Sequence, residues 1–256
     1  MRGYRGMTTE RAREVREKGH SDALEFAHLI GMSDTYLNDL NAKKDVIDKS
    51  GDAHSVKSGK KKWQLFLYSI SRFQEDETFQ SMNGIGQILV NCINAFPPTF
   101  EEYKQNKAIY KEQLKKSMIE LKEKLQNKTR VKSFFNKALF NFGEVKYLTV
   151  KHNDVFHVFL NNDVNKAFSD NLIVENSKSR SAVSYDAQKV IFKYNGTNLA
   201  ELEVRTDSLV HYKRVCFNMM KPRALILLFD KIKFEKMFTE KIYLYGNASK
   251  TFGRWK

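Results

Sequence analysis

The stretch Asn41–Tyr68 reads NAKKDVIDKSGDAHSVKSGKKKWQLFLY, and its punctuation decides the fold class. A short strand containing Asp45 is followed by the turn residues Lys49-Ser50-Gly51-Asp52, then by a second strand, AHSVK, that ends in Lys57 just before Gly59. Two short extended runs around such a turn predict a β-hairpin. In so tight a hairpin Asp45 and Lys57 project at the same end of the sheet. A carboxylate in that position can hold Mg²⁺, while an ammonium group orients or activates water and stabilises charge growing on a phosphate. Lys60, Lys61 and Lys62 follow at once and attract phosphate, although a lysine triplet is more often a solvated face. The run WQLFLYSISRF behind them reads as a helix that offers Gln64 and Arg72 to DNA and buries Trp63 and Phe66.

On either side of this hairpin the chain changes character near Gly143. Before it the pattern is mostly helical. Ser21 caps a short helix, DALEFAHLI, that stops at Gly31; Trp63–Phe73 and Thr78–Phe96 read as helices, the second stopped by Pro97-Pro98. Thr99 and Glu102 form a capping box for a helix that buries Tyr103, Tyr110, Leu114, Met118, Leu121 and Leu125, and Val131–Phe142 is a further amphipathic helix ended by Gly143. From Val145 onward strands dominate. KYLTV and VFHVFL flank His152, Asn153 and Asp154, and VIFKY and TNLAELEV flank Asn195-Gly196, a dipeptide suited to a type I′ turn. The run ALILLFD after Pro222 fits a buried strand or a helix equally well. The expected architecture is α/β, a mixed sheet flanked by helices with a hairpin-rich C-terminal half. It divides into a mainly helical half, 1–143, carrying the hairpin at 41–68, and a strand-rich half, 144–256, suited to DNA recognition, unless the two form one compact domain.

Composition narrows the partner. Lys and Arg number 44 against 30 Asp and Glu, a formal charge of +14 over 256 residues, which points to a polyanion before any small metabolite. Cys92 and Cys216 both sit in apolar runs, so buried reduced thiols are expected, and with them a cytoplasmic setting. Met1–Lys18 is rich in Arg and Glu, and no run approaches the roughly 18 apolar residues of a membrane span, so neither secretion nor a membrane partner is expected. The histidines and cysteines lack zinc-ligand spacing, and Asn83-Gly84-Ile85-Gly86 lacks the spacing of a dinucleotide or Walker loop.

A second group of charged residues competes for the chemistry. Asp186 lies on or before one strand of the Asn195-Gly196 hairpin, with Glu201, Glu203 and Arg205 on the other. This is an alternative active site in which Arg replaces Lys, and Arg is the poorer base because its pKa stays above about 12. Alternation puts Glu201, Glu203 and Arg205 on one face, where a structural ion-pair cluster is the simpler expectation. Beyond that strand, Arg205, Asp207, His211, Lys213 and Arg214 form a group of donors with one acceptor that suits the reading of base edges, or a plain charged loop.

The order KKDV, turn, SVK resembles the signature of the PD-(D/E)xK nucleases of type II restriction systems, in which an Asp opens one strand and an acidic-x-Lys pair lies on the next. The likeness covers about thirty residues. It implies a restriction-endonuclease-like fold, a Mg²⁺ cofactor, double-stranded DNA as substrate and a two-fold homodimer that cuts both strands at a specific sequence. Carried onto this chain, it makes Asp45 the first metal ligand and Lys57 the signature lysine, which positions and deprotonates water or remains charged against the pentacovalent phosphorus. Ser55 stands where the second acid is expected, and the missing carboxylate then comes from Glu25 on the preceding helix or from Asp52 in the turn. The reading from another class is a non-catalytic sequence-specific nucleic-acid-binding protein in which Asp45 is structural.

Overall fold

A computed structural model describes residues 9–33, 44–179, 181 and 184–255. The first part of the Met1–Lys18 segment (1–8) and the start of the hairpin stretch (41–43) lie outside the described residues. In chain order the elements are α1 (Thr9–Leu29), β1 (Val46–Ile47), β2 (Ala53–Lys57), β3 (Lys62–Tyr68), α2 (Ile70–Glu75), α3 (Glu77–Gln80), α4 (Ile85–Asn94), α5 (Phe100–Gln105), α6 (Lys107–Leu125) and α7 (Lys128–Phe140). There follow β4 (Tyr147–His152), β5 (Val155–Leu160), α8 (Asn161–Asn171), β6 (Ile173–Asn176), β7 (Lys189–Tyr194), β8 (Thr197–Arg205), β9 (Arg214–Met220), α9 (Lys221–Lys231), β10 (Phe234–Thr239), β11 (Ile242–Tyr245) and α10 (Ala248–Thr251). The chain is mixed α/β, with one mixed and one antiparallel sheet, each accompanied by helices. It forms two compact units: Met1–Lys60 with Leu139–Val164 and Ile232–Lys256, and Lys61–Ala138 with Asn165–Lys231. Both units draw residues from either side of the compositional change near Gly143.

The first unit is built on the sheet β1-β2-β4-β5-β11-β10, in which β2 runs parallel to β4 and β5 parallel to β11 while the other pairs are antiparallel. One face of it carries Val56, Tyr147, Phe156, Val158, Ile242 and Leu244. Ala23, Phe26, Ala27 and Ile30, spaced i, i+3, i+4, i+7 along α1 and just beyond it, supply the complementary stripe. Gly31, at φ 79°, follows the helix in the left-handed region that glycine enters without penalty, and Met32 N returns to Ala27 O at 3.0 Å. The helix is longer than the sequence suggests: Ser21 lies inside α1 rather than at its start.

The second unit is an antiparallel sheet, β3-β9-β8-β7-β6, with an aromatic core. Phe134 and Phe135 of α7 meet Phe217 and Phe192 of the sheet at ring-centroid distances of 5.0 and 5.2 Å. The stripe Leu114, Met118, Leu121 and Leu125 on α6 is fully buried. Asn195 and Gly196 both have positive φ (46° and 71°), as a two-residue type I′ connection between β7 and β8 requires.

Several sequence expectations need correction here. WQLFLYSISRF is not one helix: Trp63–Tyr68 lies in β3 and only Ile70–Glu75 is helical. Apolar residues at 63, 66, 67, 70 and 73 imitate a helical period because a β-bulge between Gln64 and Phe66 breaks the strand's alternation. Thr78–Phe96 is two helices, α3 and α4, parted by a turn in which Asn83 and Gly84 take φ of 50° and 85°. The helix after Thr99 breaks at Asn106 (φ −122°, ψ 35°) into α5 and α6, although Thr99 Oγ1 does accept the Glu102 N–H at 3.3 Å. ALILLFD resolves as helix, within α9.

Candidate active site

The β1–β2 hairpin owes its shape to one aspartate. Asp48 Oδ1 accepts the turn N–H groups of Ser50 (2.8 Å) and Asp52 (3.0 Å), and Gly51 takes the left-handed conformation at φ 82°. Its other oxygen lies 3.2 Å from His54 Nε2, and His54 Nδ1 lies 3.0 Å from Thr149 Oγ1 on β4. His54 is wholly buried and stacked on Tyr147 at 4.7 Å. Burial pulls its pKa down, and the bond to Asp48 opposes this only in part. The turn is thereby fastened to the parallel neighbour strand from inside the core.

At the open end of the same hairpin, Asp45 immediately precedes β1. Its backbone N–H bonds His54 O at 2.9 Å, and its side chain takes over where β1 stops: Oδ2 accepts the Val56 N–H at 2.7 Å. The same oxygen lies 3.4 Å from both Ser55 Oγ and Lys57 Nζ. Both charged side chains keep solvent access, Asp45 at 29% and Lys57 at 25%. Among the described residues Asp45 Oδ1 has no hydrogen-bond partner. Asp45 and Lys57 therefore lie together as the hairpin spacing predicts, with the Ser55 hydroxyl beside them.

The two residues considered as a second acid are engaged elsewhere. Lys151 of β4 bridges Glu25 Oε2 and Asp22 Oδ1 of α1, the latter at 2.8 Å. Burial tends to lower the Lys151 pKa, and the two carboxylates more than reverse it. By alternation, Ser55 and Lys57 point away from the face of β2 on which α1 packs, so Glu25 lies across the sheet from them. Asp52 receives Lys146 Nζ at 2.6 Å. It sits at the turn end, five residues from Lys57 and hence roughly 16 Å away at about 3.3 Å per residue.

No group of three or more His, Cys, Asp or Glu suited to a metal occurs among the described residues. Mg²⁺ commonly takes only one or two protein carboxylates, with water and substrate phosphate supplying the rest. Asp45, with Oδ1 unclaimed among the described residues, fits such a site as its single carboxylate; the set Asp45, Glu25 and Asp52 does not converge on one ion.

The residues assigned to DNA divide by role. Lys60, Lys61, Lys62 and Gln64 are exposed, the last two on β3. Arg205 and Asp207 bind each other, with Arg205 Nε to Asp207 Oδ1 at 2.6 Å, and that bond raises the guanidinium pKa and lowers the carboxyl. Lys213 donates to Phe96 O at 3.1 Å, and burial lowers its pKa. His211 Nδ1 is 3.4 Å from Ser208 Oγ, and Arg214 is exposed.

In the competing constellation Glu201 and Glu203 converge on Lys189, at 3.0 and 2.7 Å. Burial alone would lower the Lys189 pKa and raise that of Glu201; their mutual attraction reverses both. Asp186 stands apart in the turn before β7, where it accepts the Ser179 N–H at 2.6 Å. Sequence reasoning missed Lys189, Lys151 and the His54–Asp48 pair. A count outward from the Asn195-Gly196 turn places Lys189 opposite Leu202, one position short of its partner Glu203. No protein-family profile matches this chain, and no curated protein or solved structure matches it.

Proposed function

We propose that this chain is a Mg²⁺-dependent, sequence-specific endonuclease of double-stranded DNA with a restriction-endonuclease-like core, acting in the cytoplasm as a two-fold dimer. The observation that carries the reading is the Asp45–Ser55–Lys57 group: a carboxylate with one oxygen unclaimed among the described residues and an amine 3.4 Å from the other, at the end of the hairpin away from its turn. The formal charge of +14 and the exposed Lys60–Lys62 run support a polyanionic substrate. The two free, buried cysteines accord with a reducing compartment.

Asp45 is the ligand for Mg²⁺, which when bound supplies a Lewis acid for the scissile phosphate and the departing 3′ oxygen. Lys57 lies close enough to the same carboxylate to contact the attacking water or the phosphate. In the first position it orients the water; in the second its charge opposes the negative charge that builds in the transition state. Ser55 holds the Asp45 carboxylate in register with its hydroxyl and so takes a positioning part. Lys60–Lys62 give affinity without sequence preference.

Plasmid DNA incubated with the full chain and Mg²⁺ yields discrete fragments, and EDTA stops the reaction. Binding that leaves the plasmid intact under the same conditions supports the second reading, a non-catalytic DNA-binding protein. That reading draws on one observation: Lys57 already neutralises Asp45, and Glu25 and Asp52 each hold a different lysine.

A further inference from the structure

Lys57, Lys137, Lys151 and Lys189 each sit against a carboxylate. Lys111, on the second turn of α6, does not. Its Nζ donates to Thr206 Oγ1 at 3.2 Å, and among the described residues no carboxylate pairs with it. The nitrogen lies 5.4 Å from the centre of the Phe96 ring and 5.9 Å from that of Tyr103, both buried, so the side chain is half-buried among groups that cannot neutralise an ammonium. Lys107, four residues earlier on the same helix face, brings a like charge, and the first turn of α6 holds no acid to offset it. Burial pulls the Lys111 pKa down from the ordinary 10.5 to about 8; Lys107 and, from β7, Lys189 add to the fall, and Glu203 of β8 opposes it. The Tyr103 phenol, itself raised by burial, stays uncharged. The two rings favour the cation and moderate the fall without reversing it.

We infer that Lys111 is a nucleophilic amine and a site of covalent modification, forming imines with small anionic aldehydes. The inference is independent of the Asp45–Lys57 group. An amine becomes a nucleophile when desolvation and a neighbouring cation favour its neutral form, and both conditions meet here. The contact with Thr206 does not require the charge: a neutral amine donates one N–H to the same oxygen and keeps its lone pair free. The lysine is also anchored, since Gln188 Nε2 donates to the Lys111 backbone O at 2.9 Å and the Tyr103 hydroxyl donates to Thr206 Oγ1 at 3.2 Å. In the reaction the Nζ lone pair attacks the carbonyl carbon, whose π electrons move to oxygen. A proton passes from nitrogen to that oxygen, and loss of water leaves the C=N bond. The preference for an anion comes from Lys107, which is exposed and has no carboxylate partner among the described residues.

The test exposes the full chain to glyoxylate, an aldehyde that carries a carboxylate. Cyanoborohydride reduces each imine to a stable carboxymethyl amine, and peptide mass spectrometry reads every lysine between pH 6 and 10. At pH 7 about a tenth of an amine with a pKa near 8 is neutral, against well under about a thousandth of an ordinary lysine. Lower basicity and half-burial take back part of that advantage, so Lys111 is labelled roughly tenfold faster than the exposed lysines. The advantage shrinks above about pH 8, as the other lysines begin to lose their protons. Lys107→Gln, a change at an exposed position, slows Lys111 about twofold at pH 7 and leaves the other lysines as they were. Glycolaldehyde, of similar size without the charge, shows a smaller preference for Lys111. Labelling of Lys111 no faster than that of the exposed lysines at pH 7, or an advantage that persists unchanged to pH 10, overturns the nucleophile. An unaltered Lys111 rate in Lys107→Gln, or an equal preference for glycolaldehyde, overturns the selection of an anionic partner.

Discussion

If the chain is the proposed nuclease, Lys57→Ala is expected to slow Mg²⁺-dependent cleavage of plasmid DNA by roughly 10²–10³-fold, the usual effect of removing one group that stabilises transition-state charge or moves a proton. Affinity for the same DNA, measured in EDTA, changes by less than about threefold. The split follows from the lysine's surroundings. Its amine is 3.4 Å from Asp45 and a quarter exposed, so it is one cation in a chain with 44 Lys and Arg, and its removal costs little phosphate attraction. An interaction made mainly in the transition state lowers turnover and spares binding. The fold is expected to survive, because Lys57 ends β2 and its backbone pairing with Val150 does not need the side chain. If Lys57→Ala cuts normally and Glu203→Ala does not, the Glu201–Glu203–Lys189 cluster is the active site instead.

Asp76→Asn destabilises the second unit by about 3–5 kcal/mol, the usual result of removing one partner from a buried ion pair. Lys137 is only 4% exposed, and its ammonium lies 2.8 Å from Asp76 Oδ2 and 5.7 Å from the centre of the Phe79 ring. The amide keeps the size of the side chain and its cap on the Thr78 N–H but withdraws the charge that Lys137 and Arg72 share. The effect depends on pH in a definite direction. Burial pushes the Asp76 carboxyl up, yet the hydrogen bonds from Lys137 and Thr78 outweigh it, so the folded pKa lies below the ordinary 3.8. A depressed carboxylate contributes its full stability above the unfolded pKa and loses it as pH falls through the folded value. Chemical denaturation of wild type and variant at neutral pH therefore shows the whole gap, and the gap narrows below about pH 3.8.

The parts of this fold legible in the sequence are those governed by short-range chemistry. The Asp45–Lys57 hairpin was marked by its Lys-Ser-Gly-Asp turn, and the β7–β8 hairpin by Asn195-Gly196, because left-handed turn positions accept few residue types. What stayed hidden depends on one-residue irregularities. Counting outward from Asn195-Gly196 places Lys189 opposite Leu202; a bulge between Phe192 and Lys193 moves it to Glu203 and creates the ion-pair cluster. A similar bulge disguised β3 as a helix. Partners that meet across parallel strands, such as His54 with Thr149, come from segments 95 residues apart, a separation at which spacing carries no signal. Lys151 lies farther still, 126 and 129 residues from Glu25 and Asp22, and no motif links them.

The proposed activity requires Asp45 and Lys57 to act as one reaction centre. Its most direct test is the cleavage rate of the Asp45→Asn/Lys57→Ala double variant beside each single variant, on one plasmid and in one Mg²⁺ buffer. Residues that work as a unit are strongly non-additive, so the double variant is predicted to be no slower than about threefold below the slower single. Fully multiplicative losses, or single variants that cut at the wild-type rate, would contradict it.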